Sequence, residues 1–88
     1  MLLIAPPRCD EQTVTLRLEG QLTGPWVAEL RDATGKFLGN GHRLVLDLTD
    51  VTFADPGGVG LLNELQAQRV ELAGASPFLQ EQLKIKPM

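Results

Sequence analysis

Between residues 13 and 48 the hydrophobic period changes from two residues to roughly 3.6 and back again, which commits the segment to strand, helix and strand. In residues 13–19, Val14, Leu16 and Leu18 alternate with Thr13, Thr15, Arg17 and Glu19, the pattern of a half-buried strand. After Gly20 the apolar residues Trp26, Leu30, Ala33 and Phe37 fall on one helical stripe. Thr23 is placed to cap free amides and Pro25 suits the first turn. Gly35 weakens this helix near its end, and Gly39, Asn40 and Gly41 stop it. Residues 43–48 then supply Leu44, Val45, Leu46 and Leu48, the near-continuous apolar run of a central strand covered on both faces. Because a crossover helix joins them, the two strands are expected to run parallel.

The flanking segments extend this unit. Leu2–Ile4 is predicted to pair with residues 13–19 as a hairpin, with Pro6, Pro7, Asp10 and Glu11 forming the turn. A second helix is predicted over 56–68, burying Val59, Leu61, Leu62 and Leu65, followed almost directly by a strand over 70–73. Residues 74–77 make a turn, and Phe78, Leu79 and Leu83 mark a short last helix before a polar tail from Lys84 to Met88. The order β, β, α, β, α, β, α predicts an α/β fold: an open mixed sheet of about four strands with helices packed mainly on one face. Leu16, Leu18, Leu44, Leu46, Leu62 and Leu65 are its expected core.

Length and charge bound what such a domain does. At 88 residues the chain has room for one domain, spanning 1–88, and one modest core. Its net charge of −3, with acids and bases interspersed, offers no docking surface for nucleic acid or an anionic membrane. A lone Cys9 makes no internal disulfide, cysteine metal cluster or CxxC pair, which fits a reducing compartment. The apolar start, Met1 to Ala5, is too short for a signal sequence, and no run approaches the roughly 20 residues that span a bilayer. A cytoplasmic location without membrane insertion is expected.

The chemistry concentrates after the central strand, in residues 47–61. In open α/β sheets the carboxyl ends of strands are where ligands and partners bind, and a helix start there presents free amides. Asp55 stands where an N-cap belongs, Pro56 at the first helical position, and Gly57 and Gly58 let the backbone be approached closely from outside. From spacing alone, capping and packing are the preferred account of these residues. Asp47, Asp50 and Asp55 have no nearby histidine or glutamate to complete an acid–base pair, and three aspartates on a short loop are usually caps and turn formers rather than metal ligands. Neither a metal nor a cofactor is called for. His42 reads as a solvated loop residue, Ser76 as a turn or helix cap, and Trp26 as core or subunit contact. The glycines at 57, 58 and 60 lack the GK[ST] ending of a phosphate loop.

Three segments together resemble the STAS family of bacterial anti-sigma factor antagonists. Residues 14–30 resemble its strand ending in a Gly-x-Leu turn, here Gly20, Gln21 and Leu22. Residues 43–53 are similar to its central strand, followed by Asp, Leu, Ser or Thr and an apolar pair. Residues 55–62 resemble the signature in which Asp, a phosphorylatable Ser or Thr, any residue and Gly open the second helix. The resemblance covers roughly residues 10 to 83. It implies a partner-binding module whose hydroxyl residue is phosphorylated by an anti-sigma kinase, and which binds that kinase when unphosphorylated. Asp55 keeps the first signature position and Gly58 the last, but the acceptor position is Pro56, and neither it nor Gly57 carries a hydroxyl. The implied function is a non-catalytic interaction module, with Thr49, Asp50, Thr52, Asp55, Pro56, Gly57 and Gly58 as partner-binding residues. The partner is expected to be an anti-sigma kinase-like protein or a transporter ATPase, and a homodimer is conceivable. The alternative is a ligand-sensing or transporter-accessory STAS domain that binds a nucleotide or other small ligand at the same helix start.

Overall fold

A computed structural model describes residues 1–38 and 41–84. Five strands and three helices follow in the order β1 (Leu2–Ile4), β2 (Arg8–Asp10), β3 (Thr13–Leu22), α1 (Pro25–Leu38), β4 (Arg43–Ala54), α2 (Pro56–Ala67), β5 (Glu71–Ala73) and α3 (Pro77–Lys84). The sheet runs β1-β3-β4-β5, with β2 also on β3. β3 and β4 are parallel, as a crossover helix requires, and so are β4 and β5; β1 and β2 are antiparallel to β3. The fold is the expected open mixed sheet. The helix stop expected at Gly39 and Asn40 and the tail 85–88 lie outside the described residues.

The hairpin forms, but its turn is not where proline placed it. Residues 8–10 are a strand, and β1 and β2 form one interrupted edge along β3, with Pro6 and Pro7 at the gap. Proline supplies no ladder donor and is tolerated at a sheet edge, so the pair breaks the strand without turning it. The reversal comes later, at Glu11, whose φ is +54°.

Both central strands run past their expected ends. β3 passes through Gly20 at φ +106°, where a side chain would strike the carbonyl oxygen of Met1, and Gln21 N–H donates to that oxygen at 2.8 Å. Glycine is required here for the close approach, not to end the strand. In β4, Arg17 pairs with Asp47 but Glu19 with Asp50, and Gly20 pairs with Val51 but Gln21 with Phe53. Each shift inserts an extra β4 residue, the signature of a bulge. The inward residues accordingly follow Leu44, Leu46, Leu48, Val51 and Ala54, all buried.

The core lies on one side of the sheet. Leu16, Leu18, Leu44, Leu46, Leu62 and Leu65 are buried in it, as expected, together with Leu22, Leu30 and Leu79. β4 is not covered on both faces, however: Val45 and Asp47 point to the open side and are only half-buried. That side carries Arg17, which pairs with Asp50 through Nε at 3.1 Å and through Nη2. Trp26 and Phe37 pack against the core from α1, where the buried polar Thr34 satisfies its hydroxyl on the carbonyls of Leu30 and Arg31, both at 3.0 Å. Ser76 caps α3 by accepting from Leu79 N–H at 3.1 Å.

Candidate functional site

α2 begins where β4 runs out, and one carboxylate organises the junction. Asp55, in extended backbone, is the N-cap: its Oδ1 accepts from Gly58 N–H at 2.7 Å. Its Oδ2 accepts from Gly24 N–H at 2.9 Å, so the same side chain also holds the turn that leads from β3 into α1. Gly24 adopts φ +54°, a conformation natural to glycine, and immediately precedes Pro25. Thr23 takes part through its backbone, its carbonyl accepting from Trp26 N–H at 3.1 Å, and it is Gly24 that links the start of α1 to Asp55. The Gly24 amide first, then those of Gly58 and Gly57, hold the Asp55 carboxyl below the usual carboxylate range, while partial desolvation opposes them.

The two adjacent glycines differ in kind. Gly57 is exposed, and a side-chain carbon there would meet only ordinary contacts, the nearest being Asp55 Oδ1 at 3.5 Å. Gly58 is buried, and a carbon there would lie 2.5 Å from the Leu22 carbonyl oxygen and 2.9 Å from Leu22 Cγ. The close approach at Gly58 therefore comes from the protein's own β3, not from outside. Pro56 occupies the first turn, exposed beside Gly57.

Thr49, Asp50 and Thr52 stand on β4 rather than in a loop, and each side chain has a partner. The Thr49 amide and hydroxyl both donate to Asp47 Oδ1, at 3.0 and 2.6 Å, taking up an amide that the bulge displaces from the ladder. Those bonds, the hydroxyl's first, lower the pKa of Asp47 from its ordinary value. Asp50 is held by Arg17, and Thr52 donates to the Gly20 carbonyl at 3.2 Å.

On the other flank lie apolar residues that the sequence pattern did not place together. Phe53 and Phe78 are 39% and 57% exposed and stack with ring centroids 6.5 Å apart, an exposed aromatic pair at the rim of α2 and α3. Beside them a groove of about 330 Å³ is lined by Phe53, Pro56, Val59, Gly60, Asn63 and Gln82. Nothing in the spacing of these residues marks them together, because they come from β4, α2 and α3.

The arrangement suits recognition better than reaction. A carboxylate bound by two backbone amides stays ionised and makes a poor general base. It also fills the place at the helix start that a phosphate would take, and repels one. Among the described residues, no group of three or more His, Cys, Asp or Glu is placed to hold a metal, and no helix is long and apolar enough to cross a membrane.

An open mixed sheet with helices on one face, and a capped helix start at the carboxyl end of the central strand, defines a single α/β domain of STAS-like fold. A family model described as "Mlab, STAS domain" matches residues 7–85, and the chain belongs to the STAS domain family, whose members are typically non-catalytic regulatory modules. Among solved structures it is similar to the anti-sigma factor antagonist SpoIIAA in its unphosphorylated form, at TM-score 0.74 and 21% identity over 99% of this chain and 84% of that one. It is also similar to an anti-sigma factor antagonist STAS domain from Rhodobacter sphaeroides, at TM-score 0.62 and 18% identity over 99% and 96% of the two chains. A third similar structure, described as Mglu, aligns at TM-score 0.66 and 24% identity over 84% of this chain and only 20% of its own. At these identities the likeness is one of fold. No curated protein matches the sequence.

Proposed function

We propose that this chain is a non-catalytic protein-interaction module that holds its partner through the surface formed by the end of β4 and the start of α2, without a phosphorylation switch at that place. The observation that carries the reading is the pairing of a fully built helix start with an acceptor position that has no hydroxyl. Asp55 caps α2 and ties it to Gly24, while the two exposed residues that follow are Pro56 and Gly57. Proline fits the first turn because its missing amide hydrogen would have been unpaired there and its ring already holds the helical φ. The platform is thus retained while its covalent control is absent. Asp55 and Gly58 shape the surface, Pro56 and Gly57 present it, and exposed Phe53 adds apolar contact area.

Thr49 and Thr52 are the nearest hydroxyls upstream, and both are on β4 and already hydrogen-bonded. An anti-sigma kinase-like protein or a transporter ATPase is the class of partner this reading favours. The experiment is to capture partners from the native host with the intact chain, incubate the captured complex with ATP, and map phosphate by mass spectrometry. The expected result is a stably bound protein partner and an unmodified bait. Stoichiometric phosphate on Thr49 or Thr52 with release of the partner would overturn the constitutive reading.

A further inference from the structure

α3 is held to the domain more lightly than the other two helices. Among the described residues it supplies only Leu79 to the fully buried core, the rest coming from β1, β3, β4, α1, α2 and Val70. Phe78 is 57% exposed and meets β4 through Phe53, itself an exposed ring. With eight residues α3 is shorter than the roughly 12–15 at which an isolated helix is even marginal in water, so its form depends on its docking. The polar tie to β4 is half made. Gln82 Nε2 donates at 2.8 Å to the Ala54 carbonyl, yet Gln82 Oε1 is closed off from solvent without a hydrogen-bond partner. The made bond and the orphaned oxygen act in opposite directions, so this amide adds little net hold, and release of α3 hydrates the oxygen.

The remaining polar contacts of α3 are its own. Ser76 Oγ accepts from Leu79 N–H at 3.1 Å and Gln80 Nε2 donates to the Ala75 carbonyl at 2.9 Å, bonds that travel with the segment. Gly74, at φ +73°, is where a side-chain carbon would strike the Thr49 hydroxyl, which pins the turn to β4 just before the segment begins.

We propose that α3 is a releasable strap: the segment from Ala75 onward detaches from β4 and α2 as one unit while the sheet, α1 and α2 stay folded. Release uncovers the seat of Leu79 and the Phe53 ring face, joining them to the groove of about 330 Å³ lined by Phe53, Pro56, Val59 and Gly60 as one apolar slot. The inference does not depend on which molecule binds the start of α2.

The test is native-state hydrogen exchange of the 88-residue chain by NMR over a series of low urea concentrations. The amides of residues 80–83 are expected to share one opening, protected at least about a hundredfold less than those of Leu16 and Leu46. Its urea dependence should be above zero and below that of the sheet. Protection equal to the sheet's, or a graded and urea-insensitive loss that marks fraying alone, would overturn the strap. Leu79→Ala, which weakens only docking, is expected to leave a folded chain in which α3 is unprotected and the Phe53 ring resonances shift. The loss of protection in β3 and β4 is then capped at the protection that α3 had in wild type, because the released form becomes the ground state. An unfolded variant, a loss in the sheet beyond that cap, or α3 still protected with an unchanged Phe53 ring overturns the inference. Ser76→Ala, a milder variant that removes only the cap, is expected to lower protection at residues 80–83 about fivefold, and no change there also overturns it.

Discussion

Asp55 reaches the backbone of Gly24, 31 residues earlier in the chain, with Oδ2 to N at 2.9 Å, while its other oxygen caps its own helix. One side chain thereby fixes the relative positions of two loops at the carboxyl edge of the sheet. Asp55→Asn keeps an acceptor for Gly58 but turns an amide hydrogen toward the Gly24 N–H, whereas Asp55→Ala removes both bonds. Thermal unfolding should rank the midpoints wild type, then Asn, then Ala, with Ala lower by about 4–8 °C. Equal midpoints for all three would remove Asp55 from this role.

Acid should act through the same carboxylate. The folded pKa of Asp55 is lowered, chiefly by the Gly24 amide, and that of Asp47 is lowered, chiefly by the Thr49 hydroxyl. A depressed folded pKa means that the unfolded chain binds the proton first, so the contribution is complete above the unfolded carboxylate value near about 3.9 and fades as pH falls through the lower folded values. Urea midpoints measured down this range should fall for wild type and fall less steeply for Asp55→Asn.

The adjacent glycines of α2 should respond oppositely to alanine. At Gly58 the new carbon meets the Leu22 backbone, which cannot move without shifting β3, and a cost of about 1–3 kcal/mol is expected. At Gly57 the new carbon meets only ordinary van der Waals contacts and the backbone is helical, so alanine should be neutral or stabilising by up to about 1 kcal/mol. Denaturant unfolding of the two variants side by side checks this, and similar losses at both would contradict the assigned contacts.

Leu46 is fully buried at the centre of β4. Leu46→Ala should destabilise by about 2–5 kcal/mol through lost transfer energy and the cavity left behind. An unchanged unfolding midpoint would contradict the placement of β4.

The alternation of residues 13–19 and the run at 43–48 made the parallel pair legible, because burial on one face imposes a period of two. The ends were not legible for the same reason. After Leu48 the inward positions become Val51 and Ala54, so a reading tied to period two stops at Leu48 and assigns residues 49–54 to a loop. The bulges that shift the parity depend on pairing with β3, which no local pattern records. Asp55 and Pro56 were legible as a helix start since cap chemistry is local, but the bond to Gly24 and the wall formed by Asn63 and Gln82 join distant segments.

Pro56→Ser should fold, because serine is accepted in the first helical turn and Pro56 is exposed. It places a hydroxyl at the position proposed here to correspond to the family's phosphoacceptor. Incubated with ATP and a captured anti-sigma kinase, Pro56→Ser should acquire phosphate and lose partner, since a phosphoryl group adds about −1.5 to −2 charge beside Asp55. Wild type should do neither, and mass spectrometry of both proteins reads the outcome.

The most direct test of the partner surface is quantitative mass spectrometry of proteins captured from the native host by wild type and by Gly57→Arg. Gly57 is exposed and has room for a side chain, so the substitution adds bulk and charge to the proposed contact while leaving the cap and the core in place. The account predicts a partner abundant with wild type and depleted at least about tenfold with Gly57→Arg, at equal bait stability. Recovery of the same partner in equal amount by both baits would contradict it.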